Sequence, residues 1–172
     1  MTGAATPELY HRFLRMNHAA QSALERWLTT LRDSASRALC ASRSSLVPAL
    51  AADLDALHLA PLERRPFARA DDAAEAAGVI YVLDGSRFGA RAIAQELAAS
   101  GAARRWDGIS THFLDAAASG PSLAFRNLCR CGAEGRGGAV RAARAAFGLY
   151  EAAADDAERA DDASRRSVFE TV

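Results

Sequence analysis

The chain contains no lysine: its 21 basic residues are all arginine, set against 21 aspartates and glutamates. Every cationic contact must therefore come from a guanidinium, a histidine or a backbone amide, and guanidinium charge does not titrate away near neutrality. The formal net charge is zero, a sum that implies no strongly basic surface, so nucleic acid is not an expected partner. Long apolar runs are missing as well. No stretch approaches the roughly 20 residues of a bilayer-spanning helix, and no membrane association is expected. The start, "MTGAATPELYHRFLR", lacks the basic stretch and apolar region of a secretory signal, which makes a cytoplasmic location the expectation. Cysteine is scarce: Cys40, Cys129 and Cys131 are an odd count, favouring reduced thiols over a disulfide framework. Sustained two-residue alternation is absent, which argues against a sheet.

What remains is helical pattern. At 172 residues the chain suits one all-α domain with a single sizeable core. Thr6-Pro7 is a helix start, an N-cap oxygen followed by proline where its missing N–H does no harm. Leu9, Phe13, Met16, Ala20, Leu24, Trp27 and Leu31 then recur at steps of three and four, one apolar stripe. A polar, partly helical stretch covers Ser34 to Ser45. Leu46, Leu50, Leu54 and Leu57 mark the next helix, with Pro48 in its first turn. "APLERRPFARADD" reads as a connector. A long helix is expected from about Asp71 to Ser100, stopped by Gly101, and further helices around Trp106–Leu114, after Pro121, and from Val140 onward. "GAEGRGG", residues 132–138, is expected to be the most flexible loop. The polar end, residues 155–172, is expected to be solvated or frayed.

The long helix raises the functional question. Gly85 and Gly89 stand in its interior, where each glycine costs about 0.5–1 kcal/mol relative to alanine. Four residues apart, they share one face. Two explanations are open: close packing of another helix, or a flat ligand lying against exposed backbone, for which a porphyrin is the natural candidate.

"YVLDGSRFGARAI", residues 81–93, resembles the distal-helix motif of bacterial heme oxygenases. "YHRFLRMNHAAQSALE", residues 10–25, is similar to that family's second helix, and "SRSSLVPALAADLDAL", residues 42–57, to the segment that follows. The resemblance implies a compact helical fold with heme clamped between two helices, the distal one bent at its glycines so that its backbone passes close over the porphyrin. On this mapping Gly85 and Gly89 are the close-approach positions, Ser86 lies beside them, and Ala90 stands where many members have another glycine. Arg87, Arg91 and Arg126 are candidates to meet a heme propionate.

The same resemblance implies a proximal histidine on a helix preceding the matched segments, and "MTGAATPEL" offers no counterpart. His11 and His18, seven apart on one side of the first helix, are the candidate substitute iron ligands; His58 and His112 lie elsewhere. Cys129-Arg130-Cys131 is a lone C-x-C, a weak metal signal. The adjacent pairs Asp71-Asp72, Asp155-Asp156 and Asp161-Asp162 point in different directions and make poor catalytic pairs. The expectation is a noncatalytic relative that binds heme or another tetrapyrrole, such as a bilin, or acts as a regulatory interaction module. Two alternatives accompany it: an active heme oxygenase that forms biliverdin, CO and iron with an external reductase, and a homodimeric interaction module without heme.

Overall fold

A computed structural model describes residues 6–41, 43–101, 105–106, 108–119 and 133–170, the side chains of 133–134 and 164–170 excepted. Those residues form six α-helices, α1 (Pro7–Thr30), α2 (Ser34–Cys40), α3 (Val47–Ala56), α4 (Ala73–Ser100), α5 (His112–Ser119) and α6 (Ala133–Glu170). No strand occurs among them, so the architecture is all-α. Nor is any described helix long and apolar enough to cross a membrane.

Local chemistry sets most helix ends. The Thr6 side chain accepts from the Leu9 amide at the start of α1, and Asp33 does the same for Ser36 at α2. Asp72 accepts from the Glu75 amide to open α4, which closes on Gly101 at φ 66°, the left-handed conformation that glycine adopts without a Cβ penalty. α5 is shorter than the pattern suggested: Trp106 and Ile109 precede it, and the helix begins only at His112.

α1 and α4 run through the whole core. Leu24, Trp27, Val79, Ile80 and Leu83 pack against Ala142, Ala146 and Leu149 of α6. At the other end Tyr10, Leu14, Ala90 and Leu97 pack against Leu50 and Leu54 of α3 and Phe113 and Leu114 of α5. The fully buried Asp53 carboxylate ties α3 to α5, accepting from Ser110 Oγ at 2.6 Å and from the His112 and Phe113 amides at 2.8 Å each. Tyr10 joins the same corner by donating its hydroxyl to the Ser110 carbonyl at 2.7 Å. Burial, with Asp53 and Asp115 adding to it, pushes its phenol well up.

One expectation changes. Residues 133–138 of "GAEGRGG" are helical, the first turns of α6. Tertiary contact outweighs their poor propensity: a Cβ placed on Gly78 would lie 2.1 Å from the Ala139 carbonyl oxygen, and one on Gly138 would lie 3.3 Å from Ala74 Cβ. The small residues here let α4 and α6 meet backbone to backbone. The polar end of the chain is also helical, through Glu170, and part of its acid is paired. Asp161 binds Arg12 at 2.5 Å and Arg15 at 3.0 Å, fastening α6 to α1. The segment after Pro121, with Leu123, Phe125 and Leu128, lies outside the described residues.

Residues 59–70 cross the molecule without regular structure, held at several points. Arg15 Nε donates to the Ala60 carbonyl at 3.1 Å and Trp27 Nε1 to the Arg69 carbonyl at 3.4 Å. Arg65 pairs with Asp156 and Arg69 with Glu75, both at 2.7 Å. Hydrogen bonding to Arg65 holds the Asp156 carboxyl at about 2, below its ordinary 3.8. A carboxyl lowered by folding adds stability above its unfolded pKa and loses it as pH falls through the folded value. Asp156→Asn should therefore lose less stability than the parent between about pH 4 and about pH 2, measured by urea unfolding; equal losses would refute the pairing as an acid-labile contact.

Candidate functional site

At 3.6 residues per turn, Gly78, Gly85 and Gly89 fall within about 40° of one another on α4. That single face behaves in two ways along its length. At Gly78 it is pressed onto the α6 backbone, whereas a Cβ on Gly85 or Gly89 would find nothing within 4 Å among the described residues. Past the crossing, α6 leaves the glycine face open and a groove of about 330 Å³ results. Phe13, Met16 and Asn17 of α1 form one wall, and Phe147 and Tyr150 of α6 another, with Tyr81, Gly85 and Gly89 along α4. Tyr81 and Phe147 of its lining are exposed large hydrophobics, as is Phe88, the residue before Gly89. The crease continues between α1 and α6 past Phe13 and Met16 toward Leu9 and Glu158.

Close packing among the described helices thus does not account for Gly85 and Gly89; it accounts for Gly78, which the motif did not single out. A measurable result follows. Gly85→Ala and Gly89→Ala should each raise stability by about 0.5–1 kcal/mol in urea unfolding, because the helix gains and no atom is displaced. A loss in either variant would mean that the backbone there is already covered.

Beneath the groove lies a small polar network. Asn17 Nδ2 donates to the Phe13 carbonyl at 2.8 Å, and Gln21 Nε2 donates to Asn17 Oδ1 and Ser86 Oγ, each at 3.3 Å. Ser86 Oγ donates to the Leu83 carbonyl at 2.7 Å. The Tyr150 hydroxyl and Gln21 Oε1 are buried there without a hydrogen-bond partner among the described residues. Burial pushes the Tyr150 phenol well up, partly opposed by the neighbouring Ser86, so it remains protonated at neutral pH.

The other predicted residues lie elsewhere. Ala90 is on the far side of α4, buried against α3 and α5. Arg87 is 1 % exposed and its Nη2 donates inward to the Ser44 carbonyl at 2.8 Å and to Ser44 Oγ at 3.1 Å. Burial lowers its pKa, as does Arg43, while Asp84 opposes them. Arg91 donates to the Ala117 and Ala118 carbonyls at 3.3 Å each, the unsatisfied end of α5, where a cation is favoured. Both arginines are thus engaged with the fold rather than with the groove. Arg126, Cys129 and Cys131 lie outside the described residues.

His11 and His18 lie about 140–160° around α1 from Phe13, on the side turned away from the groove. His18 Nδ1 is buried without a hydrogen-bond partner among the described residues, and burial, then the charge of Arg64, push its pKa down against a smaller pull from Asp55. No histidine lines the groove. Its potential donor atoms are the Met16 thioether, the phenols of Tyr81 and Tyr150, the Ser86 hydroxyl and the Asn17 amide. Among the described residues no cluster of three His, Cys, Asp or Glu side chains is placed to hold a metal ion.

Fold and site together define an all-α protein with an open, apolar, glycine-floored groove between three helices. No protein-family model matches the chain, and neither a curated protein nor a solved structure matches it.

Proposed function

We propose that this chain is a noncatalytic, heme-oxygenase-like binding module whose groove takes a flat, apolar ligand of the tetrapyrrole class. The observation that carries the reading is the α4 backbone at Gly85 and Gly89, which no described residue covers, flanked by Phe13, Tyr81, Phe147 and Tyr150. A planar ring can lie closer to such a backbone than any Cβ would permit, and the aromatic walls supply further stacking contact.

The residues present fit a ring better than they fit an iron. Ferrous heme that must keep a position open is ordinarily held by one imidazole, and none borders the groove. Recognition would therefore run through the macrocycle. The groove is small for a ligand site and open on one side, so part of the ring would remain outside it.

Absorption titration of the purified protein with hemin and with metal-free protoporphyrin IX tests this. Both should give saturable one-to-one spectral changes with affinities within about threefold, and Gly89→Leu, which fills the floor, should weaken both at least tenfold. Reductant under oxygen should leave the hemin complex without a biliverdin spectrum. Biliverdin formation would replace this reading with the enzyme, and no saturable change with either compound would remove tetrapyrroles altogether.

The exposed apolar side chains of Tyr81, Phe88 and Phe147 favour a second reading, a homodimer that buries them. Sedimentation without ligand distinguishes the two. A stable dimer that Phe88→Glu converts to monomer would support self-association.

A further inference from the structure

A second cavity, about 490 Å³, lies between the C-terminal half of α1 and the connector, away from the glycine groove. Its composition differs from that of the groove. Arg26, Arg64 and Arg65 line it together with Trp27 and Phe67, and no acidic residue does. Arg65 is neutralised by Asp156 at 2.7 Å, and Arg69, just beyond, by Glu75 at 2.7 Å. The guanidinium groups of Arg26 and Arg64 make no hydrogen bond or ion pair among the described residues. The charge of Arg64 is also felt outside the cavity, where it lowers the pKa of His18.

The walls are held in place before any ligand arrives. The Trp27 indole is fixed by donating Nε1–H to the Arg69 carbonyl at 3.4 Å. Phe67 packs edge-on against it with ring centroids 5.6 Å apart and planes at 80°. The connector that brings Arg64 and Phe67 here is tied down by Arg15 and by the Arg65–Asp156 pair. Two uncompensated guanidiniums over a rigid aromatic floor recognise an anion and a flat apolar body at once, because guanidinium forks pair with phosphate or carboxylate oxygens while the rings take the body.

We propose that this cavity is a binding site for a small organic anion with a planar apolar body, its phosphate or carboxylate held by Arg26 and Arg64. The site is independent of whatever occupies the groove.

Isothermal titration calorimetry with 1-naphthyl phosphate, 1-naphthoate and inorganic phosphate tests it. One-to-one binding of a naphthyl anion is expected, at least tenfold tighter than inorganic phosphate, and weakening with added salt. Whichever naphthyl anion binds more tightly identifies the head group. Arg26→Gln with Arg64→Gln should weaken binding at least tenfold. Removing equal charge at the exposed Arg37 and Arg144 should change it less than twofold. Circular dichroism of each double variant confirms that the helices persist. The proposal is overturned by absent binding, by naphthyl anions bound no better than inorganic phosphate, or by equal losses in the two double variants.

Discussion

Asp53→Asn is expected to destabilise the protein by about 3 kcal/mol, more than most single polar substitutions cost. The native carboxylate presents oxygen on both sides: Oδ1 receives Ser110 Oγ and the His112 amide, and Oδ2 receives the Phe113 amide. Asparagine has one oxygen and one amino group, so whichever way it turns, an N–H faces a buried donor. The two amides belong to the first turn of α5, where a negative charge also meets the positive end of the helix. Urea unfolding gives the magnitude. Amide exchange should show the early loss of protection concentrated at His112 and Phe113. A cost under about 1 kcal/mol would mean that water replaces the carboxylate without difficulty, contrary to a fully buried site.

Gly78→Ala should be comparably severe, about 3 kcal/mol, although the same change at Gly85 and Gly89 is expected to stabilise. The three positions share a helix face and a residue type, and differ only in what stands opposite. At Gly78 the added methyl meets a backbone carbonyl 2.1 Å away, and a carbonyl cannot swing aside as a side chain can. α4 and α6 would have to separate, loosening Val79, Ala142 and Ala146 around the crossing. Opposite signs at Gly78 and Gly85 in one set of urea curves would confirm the geometry; like signs would refute it.

The features that were legible in the sequence are those whose cause is local. Thr6-Pro7, the apolar stripe of α1, Pro48 and Gly101 each act within a turn of themselves, and the helices they delimit are present. "GVIYVLDG", residues 78–85, lies inside the long helix expected from about Asp71 to Ser100 and is helical, with no strand among the described residues for it to pair with. Features whose cause lies far along the chain were not legible. Gly78 looks like any other glycine until Ala139 is placed against it, and residues 133–138 have loop composition but are helical where Gly138 and Ala139 meet α4. Asp53 left one readable trace: it falls on the apolar side of its helix beside Leu50 and Leu54, where a solvated aspartate would not belong. At the groove the glycines stood out because they break propensity. Phe147, Tyr150 and Gln21 did not, because an aromatic or amide on a core-facing helix is ordinary. The inward engagement of Arg87 and Arg91 was not legible for a related reason: charge alone does not distinguish an arginine that caps α5 from one that awaits a ligand.

The α4–α6 crossing also sets the mechanics of the groove. Two long rods touch at Gly78 and Ala139 with no side chain as a cushion, so that point is a fulcrum. Gly85 and Gly89 lie seven and eleven residues further along, a lever arm of about 10–17 Å at 1.5 Å per residue. Rotation of one rod against the other by about 5° would change the opening there by about 1 Å while leaving the fulcrum undisturbed. Any such scissor motion must slide Ala142, Ala146 and Leu149 of α6 over Val79 and Leu83 of α4, so the width of the opening is coupled to the packing of the core.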